Sequence, residues 1–178
     1  MRYDDLDVIA PLVLGGEFSE SEVLGSAVWL WMHSAAHREM PLQMLSALLL
    51  PAIKNRQFVL ASEEGKPVFY LSWASLSEEA EERYLQNSPQ CMPAEDWSSG
   101  ARIWFLDWVA PFGHSPQMRN LATRRLFPGW CARSLYHRGD ETGLRVVNFR
   151  GLAVTPEEAR FWFKNNPPAF KETPGKQQ

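Results

Sequence analysis

The sequence predicts a single mixed α/β domain, and three observations carry that prediction. Helical and strand-like periodicities alternate along the chain instead of segregating into separate blocks. One pair of apolar runs brackets the turn E-E-G-K and reads as a β-hairpin. The length of 178 residues, at 45% hydrophobic content, is enough for one ordinary core, and neither an internal repeat nor a composition break marks a second.

The elements follow in order. Residues 19–36 read as a helix, with Ser19 and Glu22 in a capping-box pattern and Leu24, Ala27, Val28 and Trp31 at helical spacing. A second helix runs from Pro41 toward Leu50 and breaks near Pro51. Gln57–Ser62 and Pro67–Ala74 form the hairpin, and Glu78–Leu85 is a short acidic helix. A loop rich in Pro, Ser and Gly spans Asn87 to Gly100, before a strand over Arg102–Ala110. Pro116–Leu126 is a basic helix and Leu144–Arg150 a strand. Pro156–Asn166 is a helix with Glu157 and Glu158 where the dipole favours them. The expected organisation is an N-terminal extension over 1–22, one domain over 23–166 and a flexible tail over 167–178.

Composition narrows the function. A formal net charge of −3 argues against general nucleic-acid binding. Cys91 and Cys131 match no metal spacing and are too few for a disulfide framework. The first twenty residues are acidic and do not read as a signal peptide, and no apolar run is long enough to span a bilayer, so a cytoplasmic protein is expected. Charge is unevenly spread. Ser77–Trp97 carries six acids against Arg83, whereas His114–Arg138 carries five arginines and no acid. The basic stretch is either a solvated face or a docking patch for an acidic partner, and composition does not separate the two.

Two segments set a protonatable side chain among tryptophans, of which there are eight: W-L-W-M-H-S-A-A-H-R at 29–38 and R-I-W-F-L-D-W-V-A-P-F-G at 102–113. Unbroken alternation puts Ile103, Phe105, Asp107 and Val109 on one face of the strand. A carboxylate among apolar neighbours needs a partner, either a catalytic one or a plain structural ion pair or loop cap. His37 reads as a base or as the cation that closes the first helix. His33 and His37 have i, i+4 spacing, but without a third ligand or an H-E-x-x-H pattern no metal is expected. Ser34 lacks a G-x-S-x-G elbow.

The runs L-G-S-A-V-W-L-W-M-H-S-A-A-H-R, L-P-A-I-K at 50–54, S-W-A at 72–74, E-D-W-S-S-G at 95–100 and W-F-L-D-W-V-A-P-F-G at 104–113 resemble the toxin-activating lysine acyltransferases. The similarity extends from Val23 to about Gly151, through F-P at 127–128, Arg133 and F-R-G at 149–151. It implies a fold similar to the GCN5-related acetyltransferases, with a central, mostly antiparallel sheet flanked by helices. It implies transfer of a fatty acyl chain from acyl carrier protein to internal lysines of an RTX-type protoxin, in the cytoplasm and before secretion, by a homodimer. The family's essential histidine and aspartate fall on His37 and Asp107, and a supporting serine on Ser34. Two mechanisms stay open: His37 as general base, or His37 carrying the acyl group.

No R-x-x-G-x-G/A turn for a coenzyme pyrophosphate follows any strand, so no cofactor is expected. With the basic stretch this favours an acidic carrier protein as donor, docked on Arg119, Arg124, Arg125 and Arg133. The tryptophans line an acyl slot or belong to the core, with Trp29, Trp97 and Trp104 assigned to the core. The chain departs from the family pattern at Met40, Ala101, His33 and His114. A toxin-binding chaperone without catalysis, or an acyltransferase for a different small acceptor, are the competing readings.

Overall fold

The computed structural model describes residues 1–87, 92–138 and 141–169. Its framework is one seven-stranded sheet whose strands lie side by side in chain order. The strands are β1 (Arg2–Tyr3), β2 (Leu6–Ile9), β3 (Phe58–Glu63), β4 (Lys66–Leu76), β5 (Arg102–Val109), β6 (Cys131–Arg138) and β7 (Glu141–Arg150). All neighbours pair antiparallel except β5 and β6, which are parallel. That single parallel pair needs a crossover, provided by α6 (Ser115–Leu121) and a wider turn over Ala122–Leu126.

Three strands were not anticipated from the sequence. In β2, Leu6 and Val8 are buried while Asp7 and Ile9 point outward, a four-residue alternation hidden in an acidic leader. It pairs with β3, and β1 pairs with β2. In β6, Arg133 occupies a buried position that an apolar residue would normally fill. Residues 88–91, with Cys91, and residues 170–178 of the expected tail lie outside the described residues.

Helices cover both sheet faces. Two short helices, α1 (Pro11–Leu14) and α3 (Leu45–Leu48), precede α2 (Glu20–Met32) and α4 (Leu50–Lys54) respectively. On one face α2, α4 and the α4 cap Leu49 pack Val23, Ala27, Leu30, Trp31, Leu49 and Ile53 onto Phe58, Leu60, Tyr70 and Val109. Further along the same face, α5 (Glu78–Gln86) sets Ala80, Tyr84 and Leu85 on Ala74, Leu76 and Trp104. On the other face α6 buries Met118 and Leu121 against Phe69, Leu71, Trp73 and Phe105. Trp97 and Trp104 are core, as expected. Trp29 is not: it is 40% exposed, because the buried stripe of α2 runs through Val23, Ala27, Leu30 and Trp31 and leaves position 29 facing out.

Local sequence explains most boundaries. The Ser19 hydroxyl accepts from the Glu22 N–H and starts α2. Pro51 lies in the first turn of α4, where its missing N–H costs nothing, so it opens a helix where a break was expected. A complete capping box, Thr155 with Glu158, starts α7 (Pro156–Asn165). The carboxylate of Glu158 is held below the usual glutamate range mainly by its bond from the Thr155 N–H, then by the Thr155 hydroxyl.

Gly151 marks where β7 hands over to α7. A Cβ there would stand 2.1 Å from the Phe127 carbonyl oxygen and 2.3 Å from that of Pro128. Both obstacles are backbone, and the Gly151 N–H is already bonded to the Trp130 carbonyl at 2.8 Å. Gly151→Ala is therefore expected to cost about 3 kcal/mol through forced separation of the two segments. Thermal denaturation checks this; an unchanged midpoint would mean the approach is looser than described.

Candidate active site

The strand that carries Asp107 is kinked beside it. Ser72 of β4 pairs with Asp107, whereas Trp73 pairs with Phe105, so Leu106 is the extra residue of a β-bulge. The bulge reverses the strand's phase. Asp107 shares a face with Trp104 and Val109, against α2 and α5, while Ile103, Phe105, Trp108 and Ala110 face α6. Unbroken alternation had placed Asp107 with Ile103 and Phe105; one inserted residue overturns that. At the same point β5 and β6 part company, since their parallel pairing covers Ile103–Phe105 with Ala132–Ser134. Half-buried Leu106, Leu135 and Val146 lie at this divergence, packed on the Ala74–Trp104 cluster.

The histidine arrives from the end of α2. The helix stops at Met32, four residues short of the expected end, and His33 caps it. Its N–H bonds to Leu30 and Trp31 carbonyls, and its Nδ1–H donates to the Trp29 carbonyl at 2.8 Å. A tight turn follows, closed by the His37 and Arg38 N–H groups on the Ser34 carbonyl at 3.0 and 2.9 Å. His37 is thus held in a turn, not on the helix, so the i, i+4 pairing with His33 does not form. Its ring packs on buried Trp31, with centroids 4.9 Å apart and planes inclined by 31°.

The structure brings three of the expected residues together. His37 Nε2 lies 3.3 Å from Asp107 Oδ1, and His37 Nδ1 lies 2.8 Å from the Ser34 hydroxyl. An ionised carboxylate can only accept, so a neutral imidazole in this geometry carries its proton on Nε2 and accepts from Ser34 at Nδ1. Side-chain exposures of 18% for His37 and 15% for Asp107 leave the pair reachable yet largely out of water. Burial first, and the Asp107 charge second, push the Tyr70 phenol well above its ordinary range; the same two causes raise that of Tyr84. Both tyrosines therefore lie within the field of the carboxylate. Sequence reasoning passed over Tyr70 and Ser72, which look like ordinary strand positions until β4 and β5 are paired.

The four arginines separate. Arg119, Arg124 and Arg125 are exposed on the crossover. Arg133 is only 1% exposed: it donates to Glu81 at 3.4 Å and to the Asn166 carbonyl, and is flanked by the rings of Trp104, Trp162 and Phe163. Its charge is consumed inside the fold, which removes it from any docking surface. The crossover is tied to the site through Trp108, one residue beyond Asp107, whose Nε1–H donates to the Ser115 hydroxyl at 2.7 Å. Among the described residues no helix is long and apolar enough to cross a membrane.

Comparison with known proteins adds a family. The model of the RTX toxin acyltransferase family matches residues 16–150. The chain is 44% identical to the protein-lysine myristoyltransferase RtxC of Kingella kingae over 138 residues, covering 78% of this chain and 80% of that protein. It is 43% identical to the protein-lysine myristoyltransferase HlyC of Escherichia coli over 143 residues, covering 80% and 83%. It is 38% identical to the leukotoxin-activating lysine-acyltransferase LktC, serotype A1, of Mannheimia haemolytica over 140 residues, covering 78% and 82%.

Proposed function

The chain belongs to the RTX toxin acyltransferase family, and from that premise we propose that it transfers a fatty acyl chain from acyl carrier protein to internal lysines of an RTX-type protoxin. As in the lysine acyltransferases and myristoyltransferases it resembles, the reaction is acyl transfer to a lysine amine. The observation that carries the catalytic reading is the array Ser34–His37–Asp107, joined at 2.8 and 3.3 Å. We assign the pair His37 and Asp107 to catalysis and Ser34 to a supporting role. The splayed parallel pair β5–β6 beside a mostly antiparallel sheet supports a fold like that of the GCN5-related acetyltransferases. We place the reaction in the cytoplasm, before secretion, and carried out by a homodimer.

A lysine ammonium must lose its proton before it attacks, which at neutral pH costs on the order of 4–5 kcal/mol. The amine then forms a C–N bond with the thioester carbonyl and the C–S bond breaks. The surplus amine proton passes through the Ser34 hydroxyl to His37 Nδ1 and on to the departing thiolate. Asp107 holds the Nε2–H and offsets the imidazolium charge. With Nε2 committed to Asp107 and Nδ1 covered by Ser34, neither ring nitrogen offers a free lone pair for acylation. This favours proton transfer over an acyl-histidine. Leu106, Leu135 and Val146, at the divergence of β5 and β6, supply an apolar lining for the acyl chain.

The test combines the chain with myristoyl-acyl carrier protein and a protoxin fragment, and reads the fragment's lysines by mass spectrometry. Acyl adducts are the expected result, and an unmodified fragment would overturn the reading. Carrier docking has its own test. Arg124→Glu with Arg125→Glu, on the exposed crossover, is expected to weaken carrier-protein binding by about tenfold at low salt and flatten its salt dependence. Titration calorimetry at two ionic strengths reads this, and unchanged affinity would reduce the stretch to a solvated face.

A further inference from the structure

Asp107 has a second set of neighbours besides His37. Ser72 is its direct cross-strand partner on β4, and Tyr70, two residues earlier on the same face, pairs with Val109. Both side chains are fully buried, at 0% exposure, and neither hydroxyl has a hydrogen-bond partner among the described residues. An unpaired buried hydroxyl costs about 1–3 kcal/mol, and alanine or phenylalanine would avoid that cost at these positions. The Asp107 carboxylate is meanwhile held loosely: among the described residues it accepts one hydrogen bond, at Oδ1 from His37 at 3.3 Å, and Oδ2 accepts none. Two donors without acceptors thus share a sheet face with an acceptor oxygen without donors, among the described residues.

We propose that Ser72 and Tyr70 are positioning residues for acyl transfer, whose hydroxyls close onto Asp107 Oδ2 and keep Oδ1 aimed at the imidazole while His37 takes the proton. Directly opposed residues on an antiparallel pair have Cβ atoms about 4.5–5.5 Å apart, so a change of χ1 rotamer carries the Ser72 hydroxyl toward the carboxylate. The bulge at Leu106 makes this support necessary. It leaves Asp107 on a locally irregular strand, beside the divergence from β6, without a ladder neighbour on that side. A carboxylate that orients a base needs its own second oxygen fixed, or the imidazole wanders from the reacting amine. Tyr70 is suited to the role because Phe58 is stacked against its ring at 6.3 Å and 18°, limiting the phenol's freedom. The inference rests on His37 and Asp107 being the working pair.

The experiment compares wild type with Ser72→Ala, Tyr70→Phe, the double variant and His37→Ala, using myristoyl-acyl carrier protein and a protoxin fragment. Each single variant is expected to lower kcat about tenfold with KM changed less than twofold. Melting temperature is expected to hold or rise, because an unpaired buried hydroxyl has been removed. The double variant should fall short of the product of the singles, since both act on one oxygen. Unchanged kcat with a raised melting temperature, while His37→Ala is inactive, would overturn this inference and leave the catalytic reading standing. A parallel loss of kcat, substrate affinity and melting temperature would also overturn it, as the signature of packing alone. Full activity in His37→Ala would overturn both.

Discussion

His37→Ala is expected to lower kcat/KM for lysine acylation by about a thousandfold while leaving protoxin binding intact. Proton transfer by a positioned side chain contributes typically 10²–10⁴-fold, and alanine removes the only imidazole in contact with Asp107 among the described residues. The fold should tolerate the change, because the side chain is part-exposed and sits in a turn secured by backbone bonds to Ser34. Asp107→Asn should be milder, at roughly tenfold to a hundredfold. An amide oxygen can still accept from Nε2–H but does not offset the imidazolium charge. The comparison also tests the chaperone alternative: a non-catalytic binder would hold the fragment equally in all three forms and acylate it in none. Single-turnover mass spectrometry with a parallel pull-down reads both quantities. Acylation at the wild-type rate by His37→Ala would end the catalytic assignment.

That Asp107 needs a partner was legible in the sequence, since it lies among apolar strand residues and cannot be left alone, and His37 stands 3.3 Å from it. The orientation of Asp107 was not. Period-two reasoning assumes a regular ladder, and the bulge at Leu106 shifts every residue after it to the opposite face, which a single strand does not announce. The short strand β2 was lost because Asp5 and Asp7 made an alternating apolar pair, Leu6 and Val8, look like an acidic leader. The arginines show a different limit. Arg119, Arg124, Arg125 and Arg133 form one basic run by composition, yet three are solvated and the fourth is buried beneath α5. Only tertiary pairing tells a docking charge from a structural one. Helix starts were legible where a serine side chain caps the first turn, as at Ser19 and Ser77, whereas the end of α2 drifted because its cap is His33, a residue that reads as one more helical position.

Glu81→Gln is expected to destabilise the protein by about 3–5 kcal/mol, a large fraction of the total for a domain of this size. Glu81 is fully buried on α5 and serves four donors. Its Oε1 accepts from Trp104 Nε1 at 2.7 Å and Arg133 Nη1 at 3.4 Å, and its Oε2 from Arg102 Nη1 at 2.5 Å and the Ala169 N–H at 3.1 Å. Burial pulls the Arg133 guanidinium below the usual arginine range, and the Glu81 charge is the main influence opposing that pull. A neutral amide would keep the shape but leave two guanidinium groups without a buried counter-charge, and it would place an N–H₂ against donors. The network also straps the chain beyond α7 to the sheet, since Arg102 bonds the Pro167 carbonyl and Arg133 that of Asn166. Loss of Glu81 should therefore loosen α5, β6 and that segment together. A fall of roughly 10 °C in melting temperature is the expected reading. Removing one ion pair of the cluster whole, Glu81→Leu with Arg133→Met, should recover part of the loss, because the desolvation cost of Arg133 goes with it while Arg102 keeps Glu78 as an ion partner. A fall of under about 2 °C in Glu81→Gln would show that the cluster is solvated and contributes little.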